Sequence, residues 1–174
     1  MTTIGVAIAI PEPWGSRLRQ FRLSIGDTGA LGIPTHITLV PPVEVDDVDV
    51  PLVDDHLAEV AGATPSFEVH LRGTGTFRPI SPVVFVALAE GISACEQLAA
   101  AVRTGPMAVE LRFPYHPHVT VAQEVADEQL DRAFEELAGF ECRFRVTDFH
   151  LYIHDVASGW APTNRYRLLT GDQG

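Results

Sequence analysis

The sequence predicts an α+β fold of two similar halves that face each other, and three observations predict it. Period-two and helix-like hydrophobic patterns interleave along all 174 residues. The order helix, strand, helix, strands occurs twice, once in residues 1–90 and again in 91–174. The middle strand of each half carries the same four-residue pattern. Both halves fit one domain of this length.

In order, Gly5–Ile10 alternates as a strand, with Val6, Ile8 and Ile10 on one face and Ala7 and Ala9 on the other. Trp14, Leu18, Phe21 and Ile25 then recur at helical steps, and Gly26 marks the stop. An extended segment, Thr35–Val40, is closed by Pro41-Pro42. Leu52, Val53, Leu57 and Val60 mark a second helix ending near Gly62. Phe67, Val69 and Leu71 alternate with polar neighbours, Gly73–Pro79 continues or turns that strand, and Val83–Leu88 is a more buried one. In the second half, Ile92, Cys95, Leu98 and Val102 mark a helix, and a Gly- and Pro-bearing loop leads into the strand His118–Gln123. Asp127 reads as the N-cap of a helix bearing Leu130, Phe134 and Leu137, with Gly139 just past its end. Strands at Arg143–Val146, Phe149–Ile153 and Tyr166–Leu169 finish the chain.

Composition removes several chemistries. All twelve basic residues are arginine, so mechanisms that need a lysine amine are excluded, among them Schiff bases and a Walker-type phosphate loop. A net charge of −11 repels a long polyanion but leaves a small phosphorylated ligand or an RNA end acceptable. Cys95 and Cys142 have no metal or redox spacing and read as buried free thiols. The apolar run Ile4–Ile10 is too short for a membrane span and has no basic start, so a cytoplasmic location without membrane contact is expected. A monomer is compatible with this reading.

The sharpest signal is His36-Ile37-Thr38-Leu39 in the first half and His118-Val119-Thr120-Val121 in the second. Side chains alternate across a strand, so each histidine shares a face with the threonine two residues on, opposite two buried aliphatics. One such tetrad arises by chance in about one sequence in ten of this composition; a matched pair is rarer than about one in a hundred. Phosphodiester cleavage needs a base to activate the attacking oxygen and an acid to protonate the leaving one. Two imidazoles near neutrality divide those roles, titrating as a coupled pair. The threonine hydroxyls then donate to the non-bridging oxygens of the transition state. The scheme needs no metal and no cofactor.

On these tetrads, and especially on Pro117-His118-Val119-Thr120-Val121-Ala122, the chain resembles the 2H phosphoesterase superfamily, which includes 2′-5′ RNA ligase-like proteins and RNA cyclic phosphodiesterases. Gly75-Thr76-Phe77 before Val83–Val86 and the closing Phe149-His150-Leu151-Tyr152 also look similar. The resemblance implies two mainly antiparallel sheets with outer helices around a central groove. It also implies catalysis by His36 and His118, and phosphate contacts from Thr38 and Thr120. Implied substrates are nucleotide-type phosphodiesters or 2′,3′-cyclic phosphates. A groove that binds a nucleotide or RNA end without turnover, and 2′-5′ joining of RNA ends, are the alternatives.

Weaker candidates surround the pair. Phe77 and Tyr115 offer faces for stacking a base. His150, Tyr152 and His154 share one strand face, which reads first as a solvated sheet surface and second as groove lining. A His116, His118, His154 metal site lacks the usual ligand spacing. Arg78, Arg112, Arg165 and Arg167 are candidate phosphate contacts, whereas Arg17, Arg19 and Arg22 fall on the polar side of the first helix and need no function. The acidic run from Asp46 to Asp55 reads as a charged loop and helix start.

Overall fold

Burial patterns set the strands. Ile37 and Leu39 are buried on either side of half-buried Thr38, and Val119 and Val121 on either side of half-buried Thr120, whereas Val6 and Ile8, and Val84 and Val86, lie in continuously buried runs with Ala7 and Phe85. The computed structural model describes residues 1–170. It gives the elements β1 (Thr2–Ala9), α1 (Trp14–Ser24), β2 (His36–Val45), α2 (Val50–Gly62), β3 (Phe67–Thr76), β4 (Val83–Glu90), α3 (Ile92–Val102), β5 (His118–Gln123), α4 (Asp127–Glu136), β6 (Glu141–Val146), β7 (Asp148–Asp155) and β8 (Gly159–Arg167). They form two antiparallel sheets, ordered β2-β1-β7-β8 and β5-β4-β3-β6. Leu18 of α1, Val53 and Leu57 of α2, Leu98 of α3 and Leu130 of α4 join the aliphatic sheet faces in one core.

The two sheets do not coincide with residues 1–90 and 91–174. The first sheet takes β1 and β2 from the start of the chain and β7 and β8 from its end; β3 and β4 pass into the second sheet. The repeat is displaced by one strand. β1 pairs with β2 across α1, and β4 pairs with β5 across α3, so β4 is the counterpart of β1. The tetrad strands β2 and β5 thereby become edge strands in equivalent positions.

Several local expectations shift. β2 continues through Pro41-Pro42 to Val45, because an edge strand tolerates residues that cannot donate on its open side. Asp127 is the first residue of α4, where its charge favours the helix start, and Ala126 precedes it without a side-chain cap. Leu52 and Ile92, expected on core faces, are exposed at helix starts. The last strand begins at Gly159, seven residues before the apolar pattern of Tyr166 shows it. Gly26 does end α1, at φ +81°, and both cysteines are buried and free. No helix among the described residues is long and apolar enough to cross a membrane.

Candidate active site

Register places the two tetrads alike. In the first sheet His36 lies opposite Ala9 and Thr38 opposite Ala7; in the second His118 lies opposite Ala87 and Thr120 opposite Phe85. All four tetrad side chains are half-buried, on the faces turned away from the aliphatic core. A small alanine beside each histidine leaves space above the sheet.

Each imidazole is fixed in the same way. His36 Nδ1 lies 2.8 Å from Pro34 O, and His118 Nδ1 lies 2.7 Å from His116 O. A carbonyl oxygen only accepts, so Nδ1 carries the proton in both bonds, leaving Nε2 of the neutral ring with its lone pair free. Burial holds the pKa of His36 below the ordinary histidine value; the Pro34 bond opposes this, and the nearby Arg22 charge lowers it further. Burial likewise lowers His118, opposed by the His116 carbonyl bond, with the charges of His116 and His36 adding to the lowering. His118 therefore senses the charge of His36 across the site.

The walls around them differ. On the His118 side, Phe77 stands edge-on to the imidazole at 4.9 Å and packs on Phe85 at 4.6 Å, with His116 closing the cluster. Gly75 makes this possible: a Cβ there would lie 2.6 Å from the Phe85 ring. On the His36 side, His36, Thr38, Tyr152 and Trp160 line a cavity of about 70 Å³ floored by Gly5 and Ala7. A larger cavity of about 410 Å³ lies next to this one rather than at the histidine pair, between Glu12, Arg19 and Pro34, and shares Ile33 and Trp160 with it.

The sequence candidates separate accordingly. Phe77 packs against His118. Tyr152 is buried in the cavity wall with His36 and Thr38, not on a solvated sheet face. His154 is exposed and packs at 5.0 Å on Trp160. Tyr115 turns its hydroxyl to Thr38 O, 2.7 Å away, and its ring lies under the Arg103 guanidinium. Arg78 is engaged by Asp131 and Arg165 by Asp148. No group of three potential metal ligands occurs among the described residues.

Two residues escape sequence reasoning. Trp160 sits in a strand whose exposed residues give no alternating signal. Arg22 is not on a solvated helix face: it is buried and bonded to the equally buried Asp27 at 2.7 Å. The cue lay in the spacing, since Asp27 follows Arg22 by five residues across the glycine that ends α1, but nothing local says that both are covered.

Two facing antiparallel sheets, with matched His-x-Thr strands at their edges, define the two-histidine phosphoesterase class. The chain belongs to the 2′-5′ RNA ligase superfamily, whose family model matches residues 10–157. It is similar to the protein named "Putative phosphoesterase BH1439" of Halalkalibacterium halodurans, 27% identical over 72% of each chain. It is also similar to "Putative phosphoesterase SERP0604" of Staphylococcus epidermidis, 25% identical over 85% of this chain and 88% of that one. The fold matches the crystal structure of E. coli LigT complexed with 3′-AMP at a TM-score of 0.71 and 22% identity, covering 96% of this chain and 98% of that one. It matches TT0787 of Thermus thermophilus at 0.68 and 21%, covering 98% and 100%.

Proposed function

We propose that this protein hydrolyses a nucleotide-type phosphodiester or 2′,3′-cyclic phosphate, with His36 and His118 as the general acid–base pair and Thr38 and Thr120 holding the phosphoryl oxygens. One observation carries the reading: two imidazoles at equivalent strand positions, each with Nδ1 tied to a carbonyl and Nε2 left free, each lowered by burial, with the His36 charge adding to the lowering of His118. Neutral Nε2 of one ring takes the proton of water as its oxygen attacks phosphorus. The protonated Nε2 of the other gives its proton to the ribose oxygen as the P–O bond breaks. The threonine hydroxyls donate to the non-bridging oxygens, where charge gathers. LigT structures with 3′-AMP, ATP, NADP+ and phosphate support a ligand of nucleotide size for this groove.

The test is a panel of 2′,3′-cyclic nucleotides and short 2′-5′-linked oligonucleotides, with EDTA present throughout. Phosphomonoester product is expected from the parent. His36→Ala and His118→Ala should each fall by about 10²–10⁴-fold while remaining folded. Undiminished turnover in both variants refutes the assignment.

A further inference from the structure

The strands that carry the tetrads are edge strands, so each has an open side with unpaired main-chain groups. Two of those groups are taken up, and each partner comes from the opposite half-site. The loop after α1, which delivers β2, sends Asp27 to β5: its Oδ2 accepts the Gln123 main-chain N–H at 3.1 Å. The loop after α3, which delivers β5, sends Tyr115 to β2: its hydroxyl donates to Thr38 O at 2.7 Å. The helices follow the same exchange, α1 packing against β5 and α3 against β2.

From this geometry we infer that Asp27, held by Arg22, and Tyr115 are positioning residues: a reciprocal pair of clamps, each loop tying its own catalytic strand to the other and so fixing the separation of His36 and His118. The inference rests on the reading that both histidines act on one phosphate.

Both clamps are built for the purpose. Asp27 and Arg22 are 3% and 6% exposed at their side chains, so the carboxylate that meets Gln123 is locked by a buried guanidinium and has no other orientation open to it. Burial raises the Tyr115 phenol well above its ordinary value, so its hydroxyl stays a donor. The Arg103 guanidinium, 5.4 Å from the ring centre, holds the ring from the other side. The consequence is specific to transfer. One half-site can still hold a phosphate through its own histidine and threonine, but in-line transfer needs both imidazoles placed to within a fraction of an ångström, and about 1 Å of slack costs on the order of a hundredfold.

The deciding variant is Tyr115→Phe, which removes one hydroxyl and keeps the ring. Its kcat and KM are measured on the best cyclic nucleotide of the panel, with calorimetric titration of inorganic phosphate and a thermal melt alongside. Expected is a kcat about ten- to a hundredfold below the parent, with KM and phosphate affinity within about threefold. A kcat within twofold of the parent overturns the inference, as does a loss that vanishes when the assay is run well below the variant's melting temperature. Asp27→Ala, which removes the acceptor of the Gln123 N–H, should show the same split. Where it fails to fold, Tyr115→Phe decides alone. The two readings fail differently: active histidine variants sink the mechanism, whereas dead histidine variants beside an unimpaired Tyr115→Phe sink only the clamps.

Discussion

Gly75→Ala is the most exacting test of how the His118 wall is built. A Cβ at Gly75 would lie 2.6 and 2.7 Å from two ring carbons of Phe85. Carbon–carbon contacts are comfortable at about 3.5–4.0 Å, so the ring must retreat by about 1 Å. It has little room: Phe85 is 6% exposed, with Phe77 4.6 Å away and His118 5.3 Å away, centre to centre. Overpacking of this kind costs about 1–3 kcal/mol. Gly75 is not among the positive-φ glycines, so alanine returns about 0.4–1 kcal/mol by restricting the unfolded chain. The net loss is about 0–2.6 kcal/mol, and because the displaced ring presses on His118, kcat/KM should fall by up to about a hundredfold. Urea unfolding and steady-state kinetics on the same preparation measure both. Gly139→Ala is the control, since nothing lies within 4 Å of the added carbon. If Gly75→Ala matches the parent in stability and in kcat/KM, the packing argument is wrong.

Other expectations follow from the same contacts. Because both imidazoles lie below the ordinary value of about 6.5, each gains its proton only at lower pH, so the bell of kcat/KM, which reports the free enzyme, should peak on the acidic side of 6.5. A peak above about pH 8 would contradict it. His116→Ala removes a like charge that disfavours the protonated His118 but keeps the carbonyl that anchors it, so the bell should move to higher pH; a shift the other way refutes the electrostatic account. Arg22→Met leaves the Asp27 carboxylate buried without its cation, which should cost about 3–5 kcal/mol in a denaturant melt; a loss under about 1 kcal/mol would show that the pair is not sealed from water.

The tetrads were legible because strand alternation is a local rule: knowing that Ile37, Leu39, Val119 and Val121 must be buried is enough to turn His36, Thr38, His118 and Thr120 the other way. Elements with a strong period were legible for the same reason. What depended on distant partners was not. The pairing of β1 with β7, 140 or more positions later, has no trace in either segment, so the exchange of strands between the sheets was not legible. Arg22 reads as a solvated helix residue until Asp27 and the Gln123 N–H close over it. Tyr115 reads as a free ring until its hydroxyl finds Thr38. Trp160 lies in a polar edge strand and gains meaning only where its indole packs beside Gly5 of β1, next to His36 and Thr38.

The interleaved sheets have a further consequence for the chemistry. The two tetrads are near-equivalent by register, but the residues opposite the threonines are not: Ala7 faces Thr38, whereas Phe85 faces Thr120. One imidazole therefore stands beside an open, methyl-floored cavity walled by Tyr152 and Trp160, and the other beside a filled aromatic cluster. A phosphodiester has two arms, and unlike walls do not accept them interchangeably. On the proposed function, whichever wall takes the nucleoside would fix which P–O bond points at His36 and which at His118. Under the proposed mechanism, in a pair so evenly matched in strand position and in hydrogen bonding, the division into acid and base would be set by the orientation of the bound substrate as much as by either ring.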